Sequence, residues 1–213
     1  TATTNGGGIL VRPPQDFVGS TSVVYSAADD DGADASAELR VSVVDINSPP
    51  RFTAGADQTI DEDSGPVSVA NWATGITTGA VGESGQTVRF AVTNDNPGLF
   101  SADPVVAPNG RLSYTPAPNA NGVATVGVSA IDDGGTLAGG SDTSATQTFT
   151  IRVTPVNDPP RFTPGGDQVV NEDSGPAAVS TWATGIVAGP ANESGQEIAF
   201  AVATDDPGLF ASG

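Results

Sequence analysis

The chain has 213 residues, with 25 acidic residues against seven basic ones, and its formal net charge at pH 7 is −18. This charge argues against nucleic acid and anionic membranes as natural partners, because counterion release would work against binding. The chain has no Cys and no His, and all seven basic residues are Arg. It therefore lacks a Ser-His-Asp triad, a Cys-His pair and a Schiff-base lysine, and we expect no enzyme.

Seven segments alternate between apolar and polar residues, which is the period of a β-strand with one buried face. In chain order they are residues 22–27, 39–43, 87–92, 111–115, 124–130, 146–153 and 197–202. Turn-forming pairs separate them, among them Asn109-Gly110 and Gly134-Gly135. No segment has a long helical period. The pattern predicts an all-β chain built of β-sandwiches.

The sequence also repeats itself. Residues 46–100, from INSPPRFTAGADQTIDEDSG to NPGLF, recur as residues 156–210. Residues 9–30 match residues 112–133 with a slightly shorter offset, which reflects a difference in the length of one loop. In this frame the last residue of the chain leads directly into the first.

The repeat divides the chain into three parts. We expect residues 1–46 to be the C-terminal half of one module, residues 47–156 a complete module and residues 157–213 the N-terminal half of the next. A half module leaves strands unpaired and a core open, so we expect an adjoining copy to complete each half. A covalent tandem array and a polymer of separate subunits both fit, and any targeting segment is expected outside this stretch.

Two tryptophans, Trp72 and Trp182, occupy matching WATGI segments. A lone Trp in a β-sandwich is more often a core residue than a sugar-stacking platform, so we expect both in a core. The same is expected of Phe52, Phe90, Phe100 and Phe149.

Proline pairs mark the junctions between modules. Residues 41–50 (VSVVDINSPP) and 151–160 (IRVTPVNDPP) each end in a Pro-Pro pair, which stiffens a linker and cannot continue a β-ladder. We call residues 44–50 the first joint and residues 154–160 the second joint. Both resemble the end of a cadherin repeat, where the last strand runs into an Asp-x-Asn-Asp-x-Pro calcium linker.

The resemblance extends over nearly the whole chain. The motifs DEDSG, NWATGI, SGQ, YTPAPNANG and DDGG follow in order, and the repeat is similar to the cadherin-like and immunoglobulin-like modules of large bacterial adhesins and filamentous surface proteins. The resemblance implies tandem immunoglobulin/cadherin-like β-sandwich modules. It also implies Ca²⁺ between successive modules, held by one module, the linker and the next.

Carried over to this sequence, the resemblance implies ligands at both joints. At the first joint they are Asp45 and Asn47 of the linker, Asp16 of the preceding half module, and Glu83 and Asp132 of the complete module. At the second joint they are Glu62, Asn119 or Asn121, the linker pair Asn157 and Asp158, and Glu193.

The joints also depart from the cadherin pattern. Ser48 and Pro155 stand where the pattern has Asp, and the PAPNANG turn lacks the Asp-Arg-Glu element. Each joint has thus lost a ligand, so we expect one or two ions per joint and not three. The residue chemistry supports Ca²⁺ apart from the resemblance, because Ca²⁺ takes about six to eight oxygen ligands. Solvated turn residues are the alternative interpretation, for the joints as well as for the run 29–31 (DDD).

These patterns together predict a structural extracellular module of a surface filament, sheath or adhesin stalk, with copies of itself as end-to-end partners. The alternatives are a calcium-dependent adhesion or carbohydrate-binding module, which would have a cell-surface or carbohydrate target, and a surface-layer lattice protein. The loops contain no aromatic-rich segment, which favours the structural role. No stretch approaches the roughly 20 apolar residues of a membrane span, so no membrane insertion is expected in this segment.

Overall fold

The computed structural model describes residues 2–5, 8–14 and 17–209. In this part of the chain the regular structure consists of strands and of single 3₁₀ turns, so the predicted all-β class is confirmed. The strands are β1 (Ala2–Asn5), β2 (Gly8–Val11), β3 (Gly19–Ala28), β4 (Asp34–Val43), β5 (Arg51–Thr53), β6 (Gln58–Asp61), β7 (Val67–Val69), β8 (Thr74–Thr77), β9 (Arg89–Asn94), β10 (Phe100–Val106), β11 (Leu112–Pro116), β12 (Gly122–Ile131), β13 (Gln147–Thr154), β14 (Arg161–Thr163) and β15 (Thr184–Val187). The 3₁₀ turns are Val81–Glu83, Pro97–Leu99, Leu137–Gly139, Ala191–Glu193 and Pro207–Leu209.

Three sheets form in the middle of the chain. A four-stranded sheet has the order β6-β13-β12-β9, in which β6 and β13 are parallel and the other pairs are antiparallel. A three-stranded antiparallel sheet has the order β10-β11-β7, and β5 pairs with β8. In the parallel pair Gln58 lies opposite Ile151 and Asp61 opposite Thr154, so an early strand of this region runs beside its last strand in the same direction.

Alternate residues of these strands form one hydrophobic core. Val126 and Val128 of β12 and Ile151 of β13 are fully buried, and Leu112 and Tyr114 of β11 meet them from the three-stranded sheet. The period-two pattern of these strands therefore identifies the buried face correctly. Burying each such side chain stabilises the fold by about 1.5–3 kcal/mol. Sheets on both sides of one core give the region a sandwich-like character.

The aromatic residues of this region lie in or against that core, as predicted. Trp72 is 3% exposed, its ring centroid lies 4.4 Å from that of Phe149, and its indole N–H donates to the Ala56 carbonyl over 3.1 Å. The predicted phenylalanines follow, with Phe52, Phe100 and Phe149 buried and Phe90 partly buried. The prediction is wrong for Trp182, which is 41% exposed. In residues 161–209 the strands that would cover it do not form.

The turn at Asn109-Gly110 shows why a glycine is needed there. Gly110 has φ +80°, and a Cβ on it would overlap the carbonyl of Ala73, whose N–H donates to the Gly110 carbonyl over 2.9 Å. Only a residue without a side chain fits both conditions. This turn joins β10 to β11 and so fixes the register of the three-stranded sheet.

Six of the seven predicted strand segments lie within or overlap strands, namely β3, β4, β9, β11, β12 and β13. The prediction for residues 197–202 is wrong, because these residues have no regular structure. Their counterparts in β9 pair with β12, and a strand of the β12 type does not follow residues 197–202 in the described chain. An alternating pattern without a partner strand leaves its backbone groups unpaired, so the strand does not form.

Candidate functional site

The first joint is organised around the side chain of Asn47. Its Nδ2 donates to Asp132 Oδ1 and to the Ser141 carbonyl, both over 2.8 Å, and its Oδ1 accepts from Gln86 Nε2 over 2.8 Å. Gly134 of the DDGG motif lies so close to this amide that a Cβ would overlap it. The linker side chain is thus held by loops on both sides of it.

Glu83 fixes the same linker through its backbone. This residue ends the 3₁₀ turn Val81–Glu83 and is 3% exposed. One carboxylate oxygen accepts from the N–H of Ser48 and the other from the N–H of Ala80, each over 2.7 Å. Hydrogen bonds to charged groups stabilise by about 1.5–3 kcal/mol each. Glu83 therefore ties the linker to the complete module.

The second joint repeats these contacts at the matching positions of the second repeat. Glu193 Oε1 accepts from the N–H of Asp158 over 2.9 Å, and Gln196 Nε2 donates to Asn157 Oδ1 over 3.0 Å. One difference is chemical, since Pro190 stands where the first joint has Ala80. Proline has no N–H, and the second oxygen of Glu193 has no hydrogen-bond partner among the described residues.

Glu62 holds the second joint from the preceding side. It is 2% exposed, and its Oε1 accepts from the N–H of Val156 over 2.9 Å. Asn121 Nδ2 donates to Oε2 over 3.3 Å, and Asn192 Nδ2 lies 3.3 and 3.4 Å from the two oxygens. One carboxylate therefore contacts the linker and the modules before and after it.

The neighbouring residues Asp132 and Asp133 have different environments. Asp132 is buried against Asn47, whereas Asp133 is exposed and accepts from the N–H and the hydroxyl of Thr87, both over 2.8 Å. The hydrogen bond from the Thr87 N–H lowers the pKa of Asp133, with a further contribution from the Thr87 hydroxyl. Asp133 thus fixes the start of the chain that enters β9.

Four buried side-chain oxygens in the described part of the chain have no hydrogen-bond partner, and all four belong to a joint or to a side chain that contacts one. At the first joint they are Asp132 Oδ2 and Gln86 Oε1, and at the second joint they are Asp158 Oδ2 and Glu193 Oε2. At the first joint, Asp132 and Gln86 both hydrogen-bond to the side-chain amide of Asn47. At the second joint, the N–H of Asp158 donates to Glu193. All four atoms are acceptors, so they suit a cation or a donor supplied from outside.

The remaining predicted ligands lie in varied places. Asp45 is exposed and lines a surface groove with Pro13 and Phe17, and Asp16 lies outside the described residues. The backbone N–H of Asn119 donates to Asp63 Oδ1 over 3.0 Å, so Asn121, and not Asn119, faces Glu62. Within the described residues no three acidic side chains form a group that could hold a metal by themselves. The run 29–31 forms the exposed turn of the β3–β4 hairpin.

No protein-family model and no curated protein matches the chain. No helix in the described ranges is both long enough and apolar enough to cross a membrane.

Three residues of the joints were not among the predicted site residues. Gln86 and Gln196 bind the linker asparagines, and Asn192 binds Glu62. The two glutamines end the ESGQ motif in both repeats, so the repeat itself contained the signal. Asn192 replaces Gly82 of the first repeat, and no pattern in the sequence distinguishes it from a turn residue.

Proposed function

We propose that the chain is a structural segment of an extracellular surface protein, a filament, sheath or adhesin stalk in which modules follow one another end to end. The observation that supports this most directly is the recurrence of the joint. In both repeats a buried glutamate accepts the linker N–H 35 residues before it, and a glutamine binds the linker asparagine 39 residues before it. A contact set that recurs with the repeat is expected where orientation between modules matters.

Tandem immunoglobulin/cadherin-like β-sandwiches are part of the proposal. The complete module has sheets on both sides of one core and an early strand, β6, that runs parallel to the last strand, β13. Such an arrangement sends the chain in at one end of the module and out at the other. In an array of such modules each one contacts only its neighbours, so every added module makes the array longer.

Fixed joints give such a chain stiffness. Pro50 is fully buried after the first linker, and Pro-Pro pairs restrict the backbone to extended conformations. Glu62 and Glu83 add hydrogen bonds that a flexible linker would lack. The linker is therefore held by its own backbone and by carboxylates from the modules beside it.

Ca²⁺ at the joints fits the donor set. The hydrogen-bond donors described above for Glu62, Glu83 and Glu193 are neutral amides, so they leave the carboxylate charge in place. The unpartnered oxygens of Asp132 and Glu193 are acceptors of the kind that Ca²⁺ prefers. When bound, the ion would supply positive charge that offsets the repulsion among these groups. Asp132 and Gln86 would hold it at the first joint, and Asp158 and Glu193 at the second.

Solution scattering tests the structural role. A compact chain of this length has a radius of gyration of about 17 Å and an unfolded one about 50 Å. We expect the monomer isolated by size exclusion to have a radius of gyration between these two values. Its scattering curve should be that of a rod. A radius of gyration as small as that of the compact chain would show that the modules fold back on one another, which would contradict the proposal.

Calcium binding has a separate test. Thermal unfolding is followed with and without Ca²⁺, with Mg²⁺ as the competing cation, for the parent and for Asp132→Asn. An ion that binds only the folded form adds about 2.7 kcal/mol to the free energy of unfolding at a concentration 100 times the Kd, and so raises the melting temperature. We expect a rise that EGTA reverses and that Asp132→Asn reduces, whereas Asp103→Asn, an exposed control, keeps it. Identical curves with Ca²⁺ and EGTA would remove calcium from the proposal.

A further inference from the structure

The β3–β4 hairpin has the register of β12–β13 but lacks its cover. Gly19 pairs with Val43 as Gly122 pairs with Val153, and the whole ladder follows the offsets of the sequence repeat. Val128 of β12 is fully buried, whereas Tyr25, its counterpart in β3, is 46% exposed. The hairpin therefore presents a core-type face that is open in the described part of the chain.

Residues 161–209 present the matching half of such a core. Phe162 and Phe200 pack edge to face with ring centroids 5.2 Å apart, as Phe52 and Phe90 do in the complete module. Yet Phe162 and Phe200 are exposed, while Phe52 is buried. The aromatic pair is thus already arranged for a core whose other side is open. Neighbouring apolar side chains that are exposed together can mark an interaction surface.

The strands that do and do not form in residues 161–209 identify what is needed. β14 pairs with β15 as β5 pairs with β8, since both partners lie in the same half. In the complete module β6, β7 and β9 pair with β13, β11 and β12, which belong to the other half. Their counterparts, residues 168–171, 177–179 and 199–204, are not strands. Residues 161–209 therefore lack partners equivalent to β11, β12 and β13. In the sequence repeat, these strands correspond to β2, β3 and β4.

We propose that residues 8–46 of one copy of this chain dock on residues 157–209 of a second copy and complete a β-sandwich in the register of the complete module. In this register β3 pairs antiparallel with residues 199–204, so that Ser26 lies opposite Ala201 and Tyr25 opposite Val202. β4 pairs parallel with residues 168–171. The proposal rests on the proposed function, for which it names the partner. Unpaired strand edges and apolar faces on both partners drive the association.

The same register assigns a role to Glu172. Glu62 accepts from the N–H of Val156, and the sequence repeat maps this pair onto Glu172 and Ile46. Within the described chain Glu172 is exposed. In the assembly it accepts from the N–H of Ile46 of the other copy, so that each docked pair rebuilds a joint.

Cross-linking between single-cysteine variants tests the register, because the chain contains no Cys. Ser26→Cys and Ala201→Cys variants of the 213-residue chain are mixed and oxidised. Directly opposite residues in an antiparallel pair have Cα atoms about 4.5–5.5 Å apart, which a disulfide spans. Ser22→Cys mixed with Ala201→Cys is the matched control, because Ser22 lies on the same strand about 13 Å away. All three positions are exposed.

We expect the first mixture to give a product of twice the 21.1 kDa chain mass with the two variants joined, and the control mixture to give at least tenfold less. Equal yields from the two mixtures would overturn the proposal. So would a doubly substituted Ser26→Cys/Ala201→Cys protein that cross-links only within single chains. Hydrogen exchange of the unmodified protein is the second measurement. Protection of residues 199–204 must rise with protein concentration, and its absence at every concentration would also overturn the proposal.

Failure of this proposal and failure of the proposed function give different results. If cross-linking fails while the monomer scatters as a stiff rod, only completion between copies is wrong. If the monomer is compact or its joints are flexible, the structural role fails whether or not copies associate.

Discussion

Glu83→Ala is the perturbation that tests the joint contacts most simply. The substitution removes two hydrogen bonds of 2.7 Å and leaves the N–H groups of Ser48 and Ala80 without an acceptor. Each such bond to a charged group contributes about 1.5–3 kcal/mol. Removing a carboxylate that is 3% exposed also relieves its desolvation, which offsets part of the loss. We therefore expect the free energy of unfolding to fall by about 3 kcal/mol.

Urea unfolding, followed by tryptophan fluorescence, measures this loss. Trp72 is buried in the complete module, and a Trp182→Phe background removes the second signal. Glu83→Gln keeps a single acceptor oxygen and should lose about half as much. Asp30→Ala is the control, because this carboxylate is exposed in the turn of the β3–β4 hairpin. A loss below about 0.5 kcal/mol for Glu83→Ala, the range of ordinary surface substitutions, would refute the argument.

Three further predictions concern the same module. Ala80→Pro removes one donor to Glu83 at a residue whose φ of −84° is close to that of proline, so urea unfolding should show a loss of about 1–2 kcal/mol, smaller than for Glu83→Ala. An equal or greater loss would contradict this. The hydrogen bond from the Thr87 N–H lowers the pKa of Asp133 in the folded chain, so the charged carboxylate stabilises the fold above about pH 4. This stability is lost as the pH falls through the folded-state pKa. The difference in melting temperature between the parent and Asp133→Asn should therefore shrink below about pH 4. A difference that is independent of pH would contradict it. Gly110→Ala must place a side chain at φ +80°, and we expect a loss of about 1–3 kcal/mol by urea unfolding, whereas an unchanged midpoint would show that the turn adapts.

Much of the fold could be predicted from the sequence because local pattern and tertiary partner agree in the complete module. β12 and β13 alternate strictly, and their buried residues are the ones that the period selects. Residues 197–202 have the same alternation without a partner strand, and the strand does not form. Trp182 fails as a core residue for the same reason. Alternation shows which face is apolar, and only pairing decides whether the strand exists.

The site could be predicted only in part. The sequence identified the acidic and amide residues of the joints, and Glu62, Glu83, Glu193 and Asn47 do contact the linkers or the modules beside them. Their main partners are backbone N–H groups, which every non-proline residue carries and which sequence patterns therefore do not reveal. The substitution of Ala80 by Pro190 matters for the same reason, because it removes a backbone donor.

The distance between spin labels across the second joint tests the central claim, which is that the joints hold neighbouring modules in a fixed orientation. Labels at Thr125→Cys in β12 and Thr184→Cys in β15 use exposed positions on either side of Glu62 and its contacts with Val156 and Asn192. The account predicts a narrow distance distribution that broadens when Glu62→Ala is added. A distribution as broad in the parent as in Glu62→Ala would contradict it.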